Sequence, residues 1–425
     1  MNRHDAKRVL LIGYHYPPIR VSSGIQRMLK FSQYLPDFGW QPAVLSAHPR
    51  AYPLVSQDQM GDIPGSITVR RAFALDTSRH LAIRGAYPYW LGLPDRWVSW
   101  WLGGLLSGLR LIRRERPAVL WSTYPIATAH LIGLTLHRLT GIPWVADFRD
   151  SMTEADYPTD RRQWRVYRWL ERATVEACRR AVFTTPGAVR MYAERYSHIE
   201  PSRWAVIANG YDEENFTRAE AMVDDLSSRQ GAKVLVHSGV LYPWERDPRP
   251  FFQALADLKR RRIIDARRLR VVLRASGHDD YHRQHIEALD IQDIVTLAPM
   301  MPYEEALKEM LEADGLLLFQ AANCNHQIPA KLYEYLRAGR PIMALTDSAG
   351  DTAGVLLEAG IDTIVPLDDS QQIATGLEDF LIRLDRGTAP LASRAWVEGH
   401  SRYSRTRELA QLLNTVRAET VCRGD

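Results

Sequence analysis

Short apolar runs alternate with longer amphipathic ones along nearly the whole chain. Runs bounded by polar residues, Gly or Pro predict strands at 8–13, 42–47, 67–71, 118–122, 143–147, 181–185 and 204–208 in the first half. The second half repeats the theme at 233–238, 270–275, 294–297, 315–319, 341–345 and 362–365. Helical spacing fills most of the gaps between them. From Gly24 to Leu35, for example, Ile25, Met28, Leu29 and Tyr34 recur near every third or fourth place, with Ser22 or Ser23 as the N-cap. Strands alternating with helices imply parallel βαβ units with right-handed crossovers. Two such blocks imply an α/β chain of two doubly wound domains. The predicted boundaries are a first domain at 1–216, a polar linker at 217–232 (TRAEAMVDDLSSRQGA), a second domain at 233–395 and a closing segment at 396–425. That last segment carries a helix with Leu409, Leu412, Leu413 and Val416 on one face. Ligands of doubly wound sheets bind beyond the carboxyl ends of the strands, and a cleft between two such domains is the default site.

The residues at those strand ends carry the chemistry. Residues 326–345 (HQIPAKLYEYLRAGRPIMAL) read as a loop, a short helix starting near Pro329, a Gly-Arg-Pro turn and a buried strand. Lys331 and Glu334 are three residues apart and project from one side of that helix. An amine, a carboxylate and a helix N-terminus together suit a ligand with both phosphates and hydroxyls. In the first βα loop, YHYPPIRVSSGIQR (14–27), Ser23, Gly24 and Arg27 are candidates for an anion- or acceptor-binding loop. In VADFRDSM (145–152), Asp147, Arg149 and Asp150 crowd a strand terminus; they either pair structurally or face the ligand. HSGVLYPWERDPRPF (237–251) offers Gly239 for close backbone approach, with Arg246 and Arg249 for a diphosphate. In VIANGYDEENF (206–216), Asn209-Gly210 marks a turn and Asp212 a cap, a mainly structural role.

Other patterns cut the field down. His278, His282 and His285 have metal-ligand spacing but equally suit a polar surface helix, so no metal is expected. There is no DxD, no GxxxxGK[ST], no HExxH, no GxSxG and no GxGxxG. The chain is 46% hydrophobic and 24% charged, the balance of a soluble globular protein. Lysine plus arginine number 54 against 50 acidic residues, too mild an excess for a nucleic-acid partner. Cys178, Cys324 and Cys422 are scattered and odd in number, which fits a reducing compartment. The apolar run VLLIG near the start is too short for a secretory signal, and Trp97 to Leu109 is short of the ~20 residues of a spanning helix. Trp97, Trp100 and Trp101, followed by Arg110, Arg113 and Arg114, suit either a core helix or an anionic membrane surface that receives a lipid-linked acceptor.

The motif P-x-K-x-x-E-Y-x-x-x-G-x-P at 329–341 resembles the donor-binding signature of retaining GT-B glycosyltransferases of glycosyltransferase family 4, in its bacterial polysaccharide and glycolipid subgroup. The loop at 14–27 (YHYPP…GIQR) is similar to the subgroup's Y-x-P-P…G-x-x-R loop, and NG-x-D at 209–212 and the final helix are similar too. The resemblance implies a GT-B fold of two Rossmann-like domains and transfer of a sugar from a nucleoside diphosphate to a saccharide or lipid-linked hydroxyl. It implies retention, no metal and no cofactor besides the nucleotide-sugar substrate. Arg246 and Lys331 would hold the diphosphate and Glu334 the ribose. His326, Gln327 or nearby backbone amides would meet the sugar, because His326 stands where the family has its first glutamate. Val240 stands where the family has an arginine, and DFRD replaces a histidine common among relatives; Arg149 and Asp150 would position the sugar. A cytoplasmic location, peripheral at the inner membrane face, follows from the subgroup. Two alternatives stay open: a nucleotide-sugar 2-epimerase of the same fold, and a non-catalytic nucleotide-sugar-binding partner.

Overall fold

The structure is a computed structural model describing residues 7–20, 24–57, 59–223 and 231–421. The first sheet contains β1 (Lys7–Ile12), β2 (Trp40–Ala47), β3 (Thr68–Ala72), β4 (Val119–Thr123), β5 (Trp144–Arg149), β6 (Arg180–Phe183) and β7 (Trp204–Val206). Its order is β3-β2-β1-β4-β5-β6-β7, with every pairing parallel. The second contains β8 (Lys233–Ser238), β9 (Leu269–Arg274), β10 (Val295–Ala298), β11 (Gly315–Phe319), β12 (Ile342–Leu345) and β13 (Ile364–Val365). Its order is β10-β9-β8-β11-β12-β13, again all parallel. Every strand expected from the apolar runs is present. Strand order reverses beside β1 in one sheet and beside β8 in the other, and these reversals leave a crevice at the strand ends.

The strands are apolar on both faces because helices cover both. Val9, Leu10, Leu11 and Ile12 are all buried, as are Leu316 to Phe319. The Trp97–Leu109 stretch belongs to this core. Its helix, Ser99–Glu115, lies against helix Ala127–Thr140 along a row of glycines. A Cβ at Gly104 would come within 2.5 Å of Ile132 Cδ1, and one at Gly108 within 2.7 Å of Leu136 Cδ1. Trp100 is fully buried, while the indole N–H groups of Trp97 and Trp101 donate to Ala51 O and Thr135 Oγ1. The tryptophans therefore pack inward. The outward face of the same helix carries Leu102, Leu106, Arg110 and Arg113, all exposed.

Residues up to Asn209, together with those from Arg402 on, form one compact unit, and Gly210–Ser401 forms the other. The closing helix Arg402–Val421 joins the first unit by burying Leu409, Leu413 and Val416. Its Glu419 accepts from Arg179 and Arg180, and Asn414 Oδ1 accepts from Lys7 and Trp40. The expected linker begins inside a helix of the second unit, Glu213–Glu220, capped by Asp212, whose carboxylate accepts from the Asn215 N–H at 3.2 Å. Arg337 pairs with Glu213 and Glu220 across that unit. Positions 224–230 of the linker lie outside the described residues.

Deleting a buried methylene group costs transfer energy and leaves a cavity. Leu413→Ala should therefore lower the unfolding free energy by about 2–5 kcal/mol, read by urea denaturation. Leu412→Ala, only partly buried, should cost clearly less.

Candidate functional site

In the second unit, β8 ends at Ser238, beside the reversal of strand order. The next residue, Gly239, has φ of +118°, a conformation that L side chains avoid. A Cβ there would fall 2.6 Å from Lys331 Nζ. The Ser238 N–H donates to Tyr335 Oη at 2.8 Å, which ties the strand exit to helix Lys331–Ala338. Lys331 opens that helix with Ala330 as its cap, so Pro329 precedes the first turn instead of occupying it. No side chain caps this end, and the first N–H groups of a helix lack intrahelical acceptors.

Lys331 Nζ is 3.3 Å from His237 Nε2. His237 is fully buried, with Nδ1 2.8 Å from the Leu317 carbonyl. A carbonyl only accepts, so Nδ1 carries the proton and Nε2 turns its lone pair to the ammonium. Burial, reinforced by Lys331, holds the His237 imidazole well below its ordinary pKa and therefore neutral. Burial and the neighbouring Arg246 guanidinium lower Lys331 to about 7, with Glu334 acting in the opposite direction. Arg246 donates to the Val240 carbonyl at 3.1 Å and lies 5.8 Å over the Tyr242 ring. Two cations thus converge on a glycine backbone beside a helix N-terminus, an arrangement that an anion would stabilise. One turn along, Glu334 Oε1 accepts from the Tyr303 hydroxyl at 2.7 Å.

His326 and Gln327 lie on the loop entering this helix, their Nε2 atoms 3.4 Å apart. The loop is held from beneath. Gln327 O accepts from Gln320 Nε2 at 2.9 Å and from Thr352 Oγ1 at 3.0 Å, and both partners are buried. Arg249 does not join Arg246. It is exposed at the start of helix Arg249–Arg260 and grips Asp247 at 2.6 Å. The three histidines diverge: His282 turns to Leu241 O, His278 to Trp244 and Tyr242, and His285 to Tyr281.

In the first unit, two expected site residues face each other. Asp147, fully buried at the end of β5, accepts from Arg27 Nη2 at 2.7 Å and Nε at 2.9 Å. Thr123 Oγ1 adds a third bond at 2.8 Å. Arg27 also donates to Ile207 O and Ala208 O. Of the two roles open to Asp147, the geometry is that of a structural pair, and Arg27, a candidate for the anion- or acceptor-binding loop, is its partner: together they form a buried clasp joining β5, the first helix and the segment after β7. Burial explains why it must be so, since either charge alone would be costly.

The pair DFRD then turns outward. The β5–β6 register shifts between Asp147 and Arg149, and Arg149 has φ of +57°, a left-handed value uncommon outside glycine. Phe148 goes into the core while the half-buried Arg149 lies over the Tyr124 carbonyl at 3.4 Å. Asp150 is exposed. Arg149 Nη1 and His15 Nδ1 each lie 2.6 Å from where a Gly24 Cβ would stand, so glycine is required for this close approach. Ser23 lies outside the described residues. His15 is a member of the cluster that sequence reasoning missed, as are His237 and Tyr303 beside the second-unit group. Each is an isolated polar residue whose neighbour is distant in sequence. Burial, then Arg149, lowers His15 to about 3, so it is neutral at physiological pH.

Residues 24–210 match the model of a glycosyl transferase 4-like domain. Among solved structures, Anabaena HepE in complex with UDP and glucose is similar at 15% identity and TM-score 0.65, over 96% of this chain and 100% of that one. Trehalose-phosphate synthase from Burkholderia xenovorans is similar at 12% identity and TM-score 0.65, over 96% and 100%. Trehalose 6-phosphate synthase from Burkholderia multivorans follows at 13% and 0.64, over 99% of each chain. The chain has the GT-B fold. No curated protein matches it. At these identities the structures speak for the fold, and the GT-B fold explains why charged groups gather at the strand ends of both sheets.

Removing one partner of a buried ion pair strands the other. Asp147→Asn should destabilise the protein by about 3–5 kcal/mol in urea unfolding. The double variant Arg27→Met, Asp147→Leu should recover much of that loss, which would mark the pair as structural.

Proposed function

We propose that the protein is a retaining, metal-independent glycosyltransferase that moves a sugar from a nucleoside diphosphate to a saccharide or lipid-linked hydroxyl. The observation that carries this reading is the meeting of Lys331, Arg246 and the Gly239 backbone at the strand-order reversal, with Glu334 one turn further along. In this reading Lys331, Arg246 and the helix N-terminus hold the diphosphate and Glu334 the ribose diol. Negative charge builds on the leaving diphosphate as the glycosidic bond breaks, and cations already in place stabilise it without rearranging. Such fixed cations take the role that a metal would otherwise serve. In the same reading His326 and Gln327, on the loop entering that helix, meet the sugar hydroxyls. Arg149 is half-buried and Asp150 exposed at the end of β5, and we assign them to positioning the sugar or acceptor. Retention with same-face attack, the donor phosphate assisting deprotonation of the acceptor, follows from the family-4 resemblance. HepE is described with UDP and glucose, which makes UDP-sugars the first donors to test. The exposed Leu102, Leu106, Arg110 and Arg113 row suits an anionic membrane surface, where a lipid-linked acceptor would lie.

Thermal unfolding with UDP, GDP, ADP and CMP should show stabilisation by one diphosphate. At ~100-fold its dissociation constant a ligand adds about 2.7 kcal/mol. The shift should vanish in Glu334→Ala; no shift with any nucleotide in the wild type would sink the donor-site reading. Donor affinity should also depend on pH. Free Lys331 loses its proton near pH 7, whereas a bound diphosphate would retain it. Binding therefore takes up a proton, and affinity for a nucleotide sugar should fall as pH rises above 7, by up to about tenfold per unit. Lys331→Arg, charged throughout, should flatten that slope. On vesicles, co-sedimentation with anionic but not neutral lipid is expected, weakened by Leu102→Asp with Leu106→Asp.

A further inference from the structure

The loop from Gly239 to Arg246 does more than supply a cation. Between its two ends stands Trp244, with 61% of its surface exposed. The indole is not loose. It stacks on the Tyr242 ring at 5.7 Å and 28°, and the His278 ring meets it edge-on at 5.9 Å. Its backbone is pinned as well: Trp244 O accepts from Asn323 Nδ2 at 3.2 Å, and Glu245 O accepts from the Ala321 N–H at 2.8 Å. Asn323 and Ala321 belong to the segment that runs from β11 to His326, Gln327 and Lys331. The reading above runs from ribose at Glu334 to diphosphate at Lys331. The same direction continued leads to residues 321–327, to which the Trp244 loop is fastened.

We propose that Trp244 is a stacking platform for a saccharide ring beyond the diphosphate, which makes it a specificity-determining residue of the donor-side site. This rests on the donor-site reading above. A pyranose has a face of C–H groups that carries slight positive charge, and an indole face carries the complementary negative charge. A rigid exposed ring loses little conformational entropy on binding, since its neighbours already hold it. A nucleobase is the other common partner of an exposed indole. It is disfavoured here because the base is attached at the ribose end, by Glu334. The sugar could belong to the donor or to the acceptor, and both offer the same C–H face.

The test uses the full chain, Trp244→Ala and Trp244→Phe, with UDP, GDP and their glucose, galactose and mannose conjugates as probes. Direct binding is followed by calorimetry and by the tryptophan fluorescence lost in Trp244→Phe. If the platform takes the donor sugar, Trp244→Ala weakens the nucleotide sugar about tenfold and leaves the bare diphosphate within twofold, and Trp244→Phe recovers part of the loss. If it takes the acceptor sugar, both affinities hold while KM for the acceptor rises about tenfold with kcat little changed. Equal weakening of bare diphosphate and nucleotide sugar would instead place the base or phosphates on the indole and overturn the proposal. Unchanged affinities and unchanged acceptor KM would overturn it too, with wild-type diphosphate binding showing that the donor site itself stands. Failure of the wild type to bind any diphosphate would bring down the donor-site reading and this proposal together.

Discussion

A parallel strand cannot turn straight back into its neighbour, so each is followed by a crossover that returns the chain to the same starting edge. All strands of a sheet then end on one side. In this chain both sheets are parallel throughout, and everything chemical follows from that constraint. His15 and Gly24 follow β1, Arg149 ends β5, Gly239 follows β8 and Lys331 follows β11. Residues more than ninety positions apart, such as His237 and Lys331, come within 3.3 Å because their strands are neighbours across the strand-order reversal.

The charges at those edges divide by their partners. Asp147 and Arg27 are spent on each other, with Thr123 and the carbonyls of Ile207 and Ala208 taking up the rest of their hydrogen bonds. Arg249 is neutralised by Asp247 in solvent, where such a pair contributes little. Lys331 is instead buried beside the Arg246 guanidinium, and burial first, then that neighbour, lowers its pKa, with a neutral imidazole beneath. That is an electrostatic state an anion would relieve, which sets this pair apart from Arg27 and Arg249, whose charges are met by carboxylates. The same logic separates the tryptophans: Trp100 fills the first core, whereas Trp244 is held open by its neighbours.

The fold was largely legible in the sequence because its signals are local. Apolar runs marked all the strands, and Gly339 after the Lys331 helix takes the left-handed cap expected of it. The glycines of WLGGLLSGL were legible only in part: the run reads as apolar, but its packing against Ile132 and Leu136 belongs to a second helix. The candidate cluster was legible where one short segment carries it, as with Lys331 and Glu334, which open one helix. The pairing of Arg27 with Asp147, which spans 120 positions, was not legible. His15 was missed for the same reason.

The amino-acid sequence by itself determined which segments become strands and helices, where they cap, and that both sheets must be parallel, since periodicity and turn chemistry act over a few residues. Only the tertiary structure decided which charges are spent on each other and which remain for a ligand. That choice depends on burial and on distances between groups brought together by the sheet, and neither is written in any local pattern.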